Sequence, residues 1–115
     1  MTDLKDLVKK ITKFRKDRNW EQFHNPKDLA ISLSLEASEL LEHFQWKSKE
    51  EIPEYIKNNK DQIGEELADV FNWVLLMSHD LKIDILKASE KKLLKNAEKY
   101  PVSKAKGKHT KYNKL

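Results

Sequence analysis

The chain is predicted to be all-α, a bundle of four helices, and two observations carry that prediction. Glycine occurs twice and proline three times in 115 residues, while Leu, Lys, Glu and Ala abound. Those are the residues that lose least on entering a helix. Four segments also repeat their apolar residues at spacings of three and four, the period of a one-sided helix.

The first helix is predicted from Thr2 to Arg18, with Thr2 as cap and Asp3 at the positive end of the dipole. Leu4, Leu7, Val8, Ile11 and Phe14 form its apolar stripe. A loop dense in aromatic and polar groups follows, Trp20 to His24. Asn25-Pro26 then reads as a helix start, a capping side chain before proline at the first helical position. This second helix is expected to reach Trp46, burying Leu29, Leu33, Leu40 and Phe44. Residues 48–59 are polar and suit a short helix capped by Ser48. A long helix over Lys60–Leu81 is apolar nearly all round (Ile63, Leu67, Val70, Phe71, Val74, Leu75), which places it centrally. Asp84 caps the fourth helix and Pro101 stops it after Tyr100. Leu86, Leu93 and Ala97 mark its inner stripe, and Lys92, Asn96 and Tyr100 form a polar row at spacings of four. Residues 1–101 are expected to be one domain and 102–115 a basic tail.

Hydrophobic residues make up 38% and charged residues 37%. A core that thin in a chain this short favours completion by oligomerisation. The absence of cysteine excludes disulfides and thiolate metal sites. No apolar run approaches the roughly 18 residues of a membrane span, and no signal-peptide core opens the chain, so a cytoplasmic protein is expected. The net charge of +4 is local: Lys104, Lys106, Lys108, Lys111 and Lys114 fall in a tail without acids, leaving −1 on the rest. A nucleic-acid binder more often carries its basic stripe on the folded body.

The acids are distributed less ordinarily. Glu36 and Glu39 are three apart on the second helix, and Glu66 and Asp69, with Glu65 beside them, on the third. Residues three apart share a face, so each pair aims two like charges the same way among apolar neighbours. If the helices face each other, four carboxylates converge. Such a nest is unfavourable alone and favourable around a hard divalent cation, above all Mg²⁺. A cation held there would orient a polyphosphate and acidify a bound water, and a free carboxylate could take that water's proton. One such pair is usually a solvated face; two leave open both metal binding and a structural cluster paired with lysines. A di-iron bundle needs Glu-x-x-His. His43 and His79 instead follow Leu40 and Leu76 at that spacing.

Trp20, Phe23 and His24 enter the first acid-bearing helix, Trp46 ends it, and Trp73 stands one turn beyond Asp69. Singly each suits a core. Together they can stack a nucleobase, with His24 or Asn72 hydrogen-bonding its edge. The lysine tail reads as a basic end or as a flap over triphosphate oxygens, turning at Gly107 and anchored by Tyr112.

Trp20-Glu-Gln-Phe-His24-Asn-Pro26, Glu36-Ala-Ser-Glu39-Leu-Leu-Glu42-His-Phe-Gln-Trp46 and Glu65-Glu66-Leu-Ala-Asp69-Val, with Lys92, Asn96 and Tyr100-Pro101 after them, resemble the MazG-like nucleotide pyrophosphohydrolases. The likeness is greatest to the branch that includes the dCTP pyrophosphatases of animals. It implies an all-α NTP pyrophosphatase fold working as a homodimer or homotetramer. It implies Mg²⁺-dependent cleavage of a nucleoside triphosphate between the α and β phosphates, with Mn²⁺ as a substitute. Glu36, Glu39, Glu66 and Asp69 match the family's metal-binding acids. Trp20, His24 and Trp46 match the base and sugar pocket, and Lys92 and Asn96 match positions facing phosphate. Trp73 stands where the animal branch has tyrosine, so the pocket differs there. Glu42 and Glu65 are candidates for the base. The expectation is a nucleotide-pool enzyme acting on dCTP-like or modified dNTPs; the alternative is a non-catalytic helical interaction module.

Overall fold

The structure, a computed structural model, describes residues 2–114. Its elements are α1 (Leu4–Asp17), a 3-10 turn (Trp20–Phe23), α2 (Pro26–Glu42), α3 (Ile52–Asp80), α4 (Ile85–Lys99), α5 (Val102–Ala105) and a second 3-10 turn (Tyr112–Lys114). No strand occurs among the described residues. No helix is long and apolar enough to cross a membrane.

The chain forms two compact units, one through Lys82 and one from Ile83 onward. In the first, α3 is the central rod, and both α2 and α1 pack on it. Leu29 of α2 and Leu75 and Leu76 of α3 are its fully enclosed apolar side chains. That core is small, as the composition requires.

Local chemistry sets the helix ends, sometimes away from the expected residue. Asp3, not Thr2, caps α1: its Oδ1 accepts from the Asp6 N–H at 2.8 Å. Thr2 Oγ1 instead receives Lys10 Nζ at 3.4 Å. Asn19, at φ 54°, turns the chain out of α1 in the left-handed conformation that asparagine tolerates. Asn25 caps α2 as expected, accepting from the Asp28 N–H at 3.0 Å.

The second helix stops at Glu42, short of Trp46. There His43 Nδ1 meets the Tyr55 hydroxyl at 2.7 Å, and the Phe44 ring packs edge-on to Tyr55. These contacts fasten residues 43–44 to α3 just past the helix end. Ser48 and Glu51 exchange side-chain-to-backbone hydrogen bonds at 3.3 and 3.4 Å. They close a turn before α3, so Ser48 does not cap the helix itself. The short helix and the long one are nearly continuous, parted by a kink at Asn59 (φ −129°, ψ 22°). Its side chain donates to the Tyr55 carbonyl at 2.9 Å, competing with the helical ladder.

In the second unit Asp84 caps α4 through the Lys87 N–H at 3.2 Å. The helix ends at Lys99, just ahead of Pro101. Gly107 turns the tail at φ 77°, and Tyr112 comes back edge-on against Tyr100 at 6.1 Å, with Lys99 Nζ over its ring. The expected inner stripe of α4 is not covered: Leu86 and Leu93 are exposed.

Replacing Asn25 with alanine removes the cap of the helix that carries Glu36 and Glu39. A urea melt is expected to show a loss of about 1 kcal/mol with unchanged m-value.

Candidate active site

The packing of α2 on α3 brings the two acidic segments together. Carboxylate oxygens of Glu36, Glu39 and Glu66 all lie within 4.8 Å of one another. Asp69, one turn beyond Glu66, lines a cleft with Glu36, and its charge acts on both Glu36 and Glu66. Three of the four acids singled out by spacing thus converge, and Asp69 borders them.

The electrostatic consequence is direct. Glu36 is pushed up to about 7, first by burial, then by its hydrogen-bonding contact with Glu39 and by the charges of Asp69, Glu39 and Glu66. Glu66 is raised as well, again mainly by burial and by Glu39, with His43 opposing. Glu36 Oε2 and Glu66 Oε2 are both buried without a hydrogen-bond partner. The ion pairs among the described residues, Lys13–Asp17 and Arg15–Asp80, leave the cluster uncompensated.

A donor set made only of oxygens, with two buried orphan lone pairs, fits a hard cation. Magnesium binds oxygen at about 2.0–2.1 Å, so ligands on one ion stand about 3–4 Å apart, and these carboxylates need little movement to reach that spacing.

Two clefts meet at the acids. The first has a volume of 440 Å³. Its acidic end is Glu36 and Asp69, and its walls are Ile11, Phe14, Trp20, His24, Trp73 and Leu76, with Lys10, Arg15 and Asn72 as further polar groups. Trp20 packs edge-on to Phe14 at 5.7 Å, and His24 edge-on to Trp73 at 5.6 Å. Burial lowers the His24 pKa, and the Arg15 charge lowers it further. The second cleft, of 530 Å³, is lined by Glu39, Glu42, His43, Tyr55 and Glu66.

Trp20, His24 and Trp73 therefore share a pocket with two of the acids. Trp46 does not: it is 85% exposed and lines neither cleft, because α2 ends before it. Lys92 and Asn96 lie on α4, in the second unit, one turn apart on one face. Glu42 joins the second cleft, whereas Glu65 lines neither. Sequence reasoning passed over Lys10 and Arg15. Arg15 had a signal: it extends the stripe Leu4, Val8, Ile11 by one more turn, an odd place for a charge.

An all-α body with converging acids at the foot of an aromatic cleft is the architecture of a metal-assisted enzyme acting on nucleotides. Comparisons with known proteins agree. The MazG-like family model matches residues 31–115, and the chain belongs to that family. It is 34% identical to dCTP pyrophosphatase 1 of Rattus norvegicus over 114 residues, 97% of this chain and 67% of the relative. It is 32% identical to dCTP pyrophosphatase 1 of Homo sapiens, with the same coverage. A crystal structure of a pyrophosphatase from Archaeoglobus fulgidus superposes with a TM-score of 0.83 at 37% identity, covering 88% of this chain and 94% of that one.

The raised carboxyls make stability depend on pH with a defined sign. Glu36 binds its proton more tightly folded than unfolded, so it favours the fold below its ordinary value of 4.5, and that contribution is lost as pH rises through about 7. In metal-free buffer, thermal melts are expected to show Tm falling between pH 5 and pH 8. Glu36→Gln should flatten the slope, and millimolar Mg²⁺ should restore Tm at pH 8.

Proposed function

We propose that the protein is a divalent-metal-dependent nucleoside triphosphate pyrophosphohydrolase. It cleaves a (d)NTP between the α and β phosphates, releasing (d)NMP and pyrophosphate. Its substrates are dCTP-like or modified deoxynucleotides, and its role is to clear them from the nucleotide pool. One observation carries this: the carboxylates of Glu36, Glu39 and Glu66 converge beside a cleft walled by Trp20, His24 and Trp73. The family and its dCTP pyrophosphatase and pyrophosphatase relatives support the same reading.

The two clefts divide the substrate. Trp20 and Trp73 bind the base in the first, and the acids at the junction face the phosphates. Bare carboxylates would repel a triphosphate, so Glu36, Glu39, Glu66 and Asp69 would hold Mg²⁺, with Mn²⁺ as substitute. The bound cation supplies charge neutralisation and an acidified water. Glu42, which lines the second cleft with Glu39 and Glu66, would accept the proton of the attacking water. Lys92 and Asn96 of α4 and the lysines of residues 102–115 serve the polyphosphate. The rival reading, a structural acidic cluster in a non-catalytic module, requires lysines bonded to the acids. The ion pairs among the described residues lie elsewhere.

A second copy completes the molecule. Ile31 and Leu35 on α2 and Leu67 and Phe71 on α3 are large apolar residues left exposed one helical turn apart. Packing against a partner would cover them, and the exposed Trp46 is free to enter the partner's cleft.

A panel of NTPs and dNTPs with Mg²⁺ should yield pyrophosphate, the cytosine deoxynucleotide leading. Orthophosphate alone would overturn the cleavage position. Glu39→Gln and Asp69→Asn should remain folded and lose about two orders of magnitude in kcat. Light scattering should find a dimer or tetramer, and Leu35→Glu with Phe71→Glu should shift it to a smaller species with lost turnover.

A further inference from the structure

Arg15 of α1 and Asp80 at the end of α3 form a two-pronged ion pair. Nη1 donates to Oδ2 at 2.7 Å and Nη2 to Oδ1 at 2.8 Å. Arg15 is 8% exposed, the buried charge among the described residues. A pair taken out of water is weak evidence for stability, since well-packed apolar replacements are often neutral or better. Its position suggests another reason for it. Arg15 lines the first cleft with Trp20, His24 and Trp73. Asp80 lies eleven residues past Asp69, about 16 Å further along the helix. Along α3 the order is therefore acids, then Trp73, then the Arg15–Asp80 pair. A nucleotide with its phosphates at the acids and its base at the tryptophans has the far edge of that base toward Arg15.

A guanidinium has five N–H donors and no acceptor. Asp80 occupies two. Each Nη retains one N–H that Asp80 does not take, and Arg15 lines the cleft, so these are the donors it offers a ligand there. The two-pronged bond to Asp80 fixes the plane of the guanidinium.

We propose that Arg15, positioned by Asp80, selects the base by donating to an exocyclic carbonyl oxygen. The cleft then takes cytosine, thymine, uracil or guanine and discriminates against adenine, which carries an amino group and no oxo group. This rests on the pyrophosphohydrolase reading and refines it.

The test compares the parent with the double variant Arg15→Met/Asp80→Leu, which removes both charges together. Thermal melts check the fold. Pyrophosphate release gives kcat and KM for dCTP, dTTP, dGTP and dATP. Tryptophan fluorescence, titrated with deoxycytidine and deoxyadenosine, reports base binding without turnover. The parent should favour the oxo bases over dATP by about 10- to 100-fold in KM, the range of a hydrogen bond to a charged group. The double variant should keep Tm and kcat while that gap closes, chiefly through a rise in KM for the oxo bases. Asp80→Asn should raise the same KM values less, with kcat kept. If the double variant does not fold, Arg15→Lys serves: it keeps the charge without the fork and should also narrow the gap. A parent indifferent to the base, or a folded variant with the parent's base ranking, overturns the proposal. Loss of pyrophosphate release with base-selective fluorescence intact would overturn the enzymatic reading and leave this one standing.

Discussion

The packing of α2 against α3 must hold three carboxylates together with a fourth, Asp69, close by, and the rest of the first unit is organised around that demand. Carboxylates within a few ångströms cannot all ionise freely at low local dielectric. The fold meets the strain by raising Glu36 and Glu66 toward neutrality. It could have relieved it with lysines, as surface helices commonly do. Instead it embeds the acids in apolar periodicity and leaves two oxygens buried without partners. A positive charge sharing the site would relieve the cost that remains.

That constraint explains the thin core. α3 is flanked by α2 on its acidic side and by α1 along the aromatic cleft. The positions facing α2 are shared between apolar contacts and carboxylates, so fewer side chains are left to bury. The apolar residues that would enlarge a monomeric core, Leu35 and Phe71 among them, face outward. Burial of apolar area is worth about 25 cal/mol per Å², so a second copy seated there would return stability that the acidic seam withholds.

Much of this was legible in the sequence because it depends on helical period. Glu36/Glu39 and Glu66/Asp69 could be placed on shared faces by counting, and Asn25-Pro26 and Asp84 announced helix starts through local hydrogen bonds. The failures share a cause as well. The end of α2 coincides with His43 and Phe44 meeting Tyr55, twelve and eleven residues later. No local signal foretells such a contact, so Trp46 was carried along a helix that had already stopped. Thr2 and Asp3 are both good caps, and which one wins is a matter of one residue. Arg15 was hidden differently. A charge on an apolar stripe reads as an irregularity until its partner is known, and Asp80 is 65 positions away.

The Arg15–Asp80 pair, at the end of α3, and the acidic cluster, at its middle, are opposite solutions to one problem. At Asp80 a partly exposed carboxylate is matched by a buried guanidinium, which holds its pKa below the ordinary value. At Glu36 and Glu66 buried carboxylates go unmatched, and their pKa values rise. Since α3 carries both, the difference lies in what faces each: α1 brings Arg15 to Asp80, whereas α2 brings two more acids to Glu66. Exchanging those neighbours would neutralise the cluster and leave a lone carboxylate at the aromatic end. The chain places its fixed positive charge where a neutral, hydrogen-bonding group would sit and withholds it where a cation would bind. A polar gradient of that sense suits a ligand that is anionic at one end and aromatic at the other.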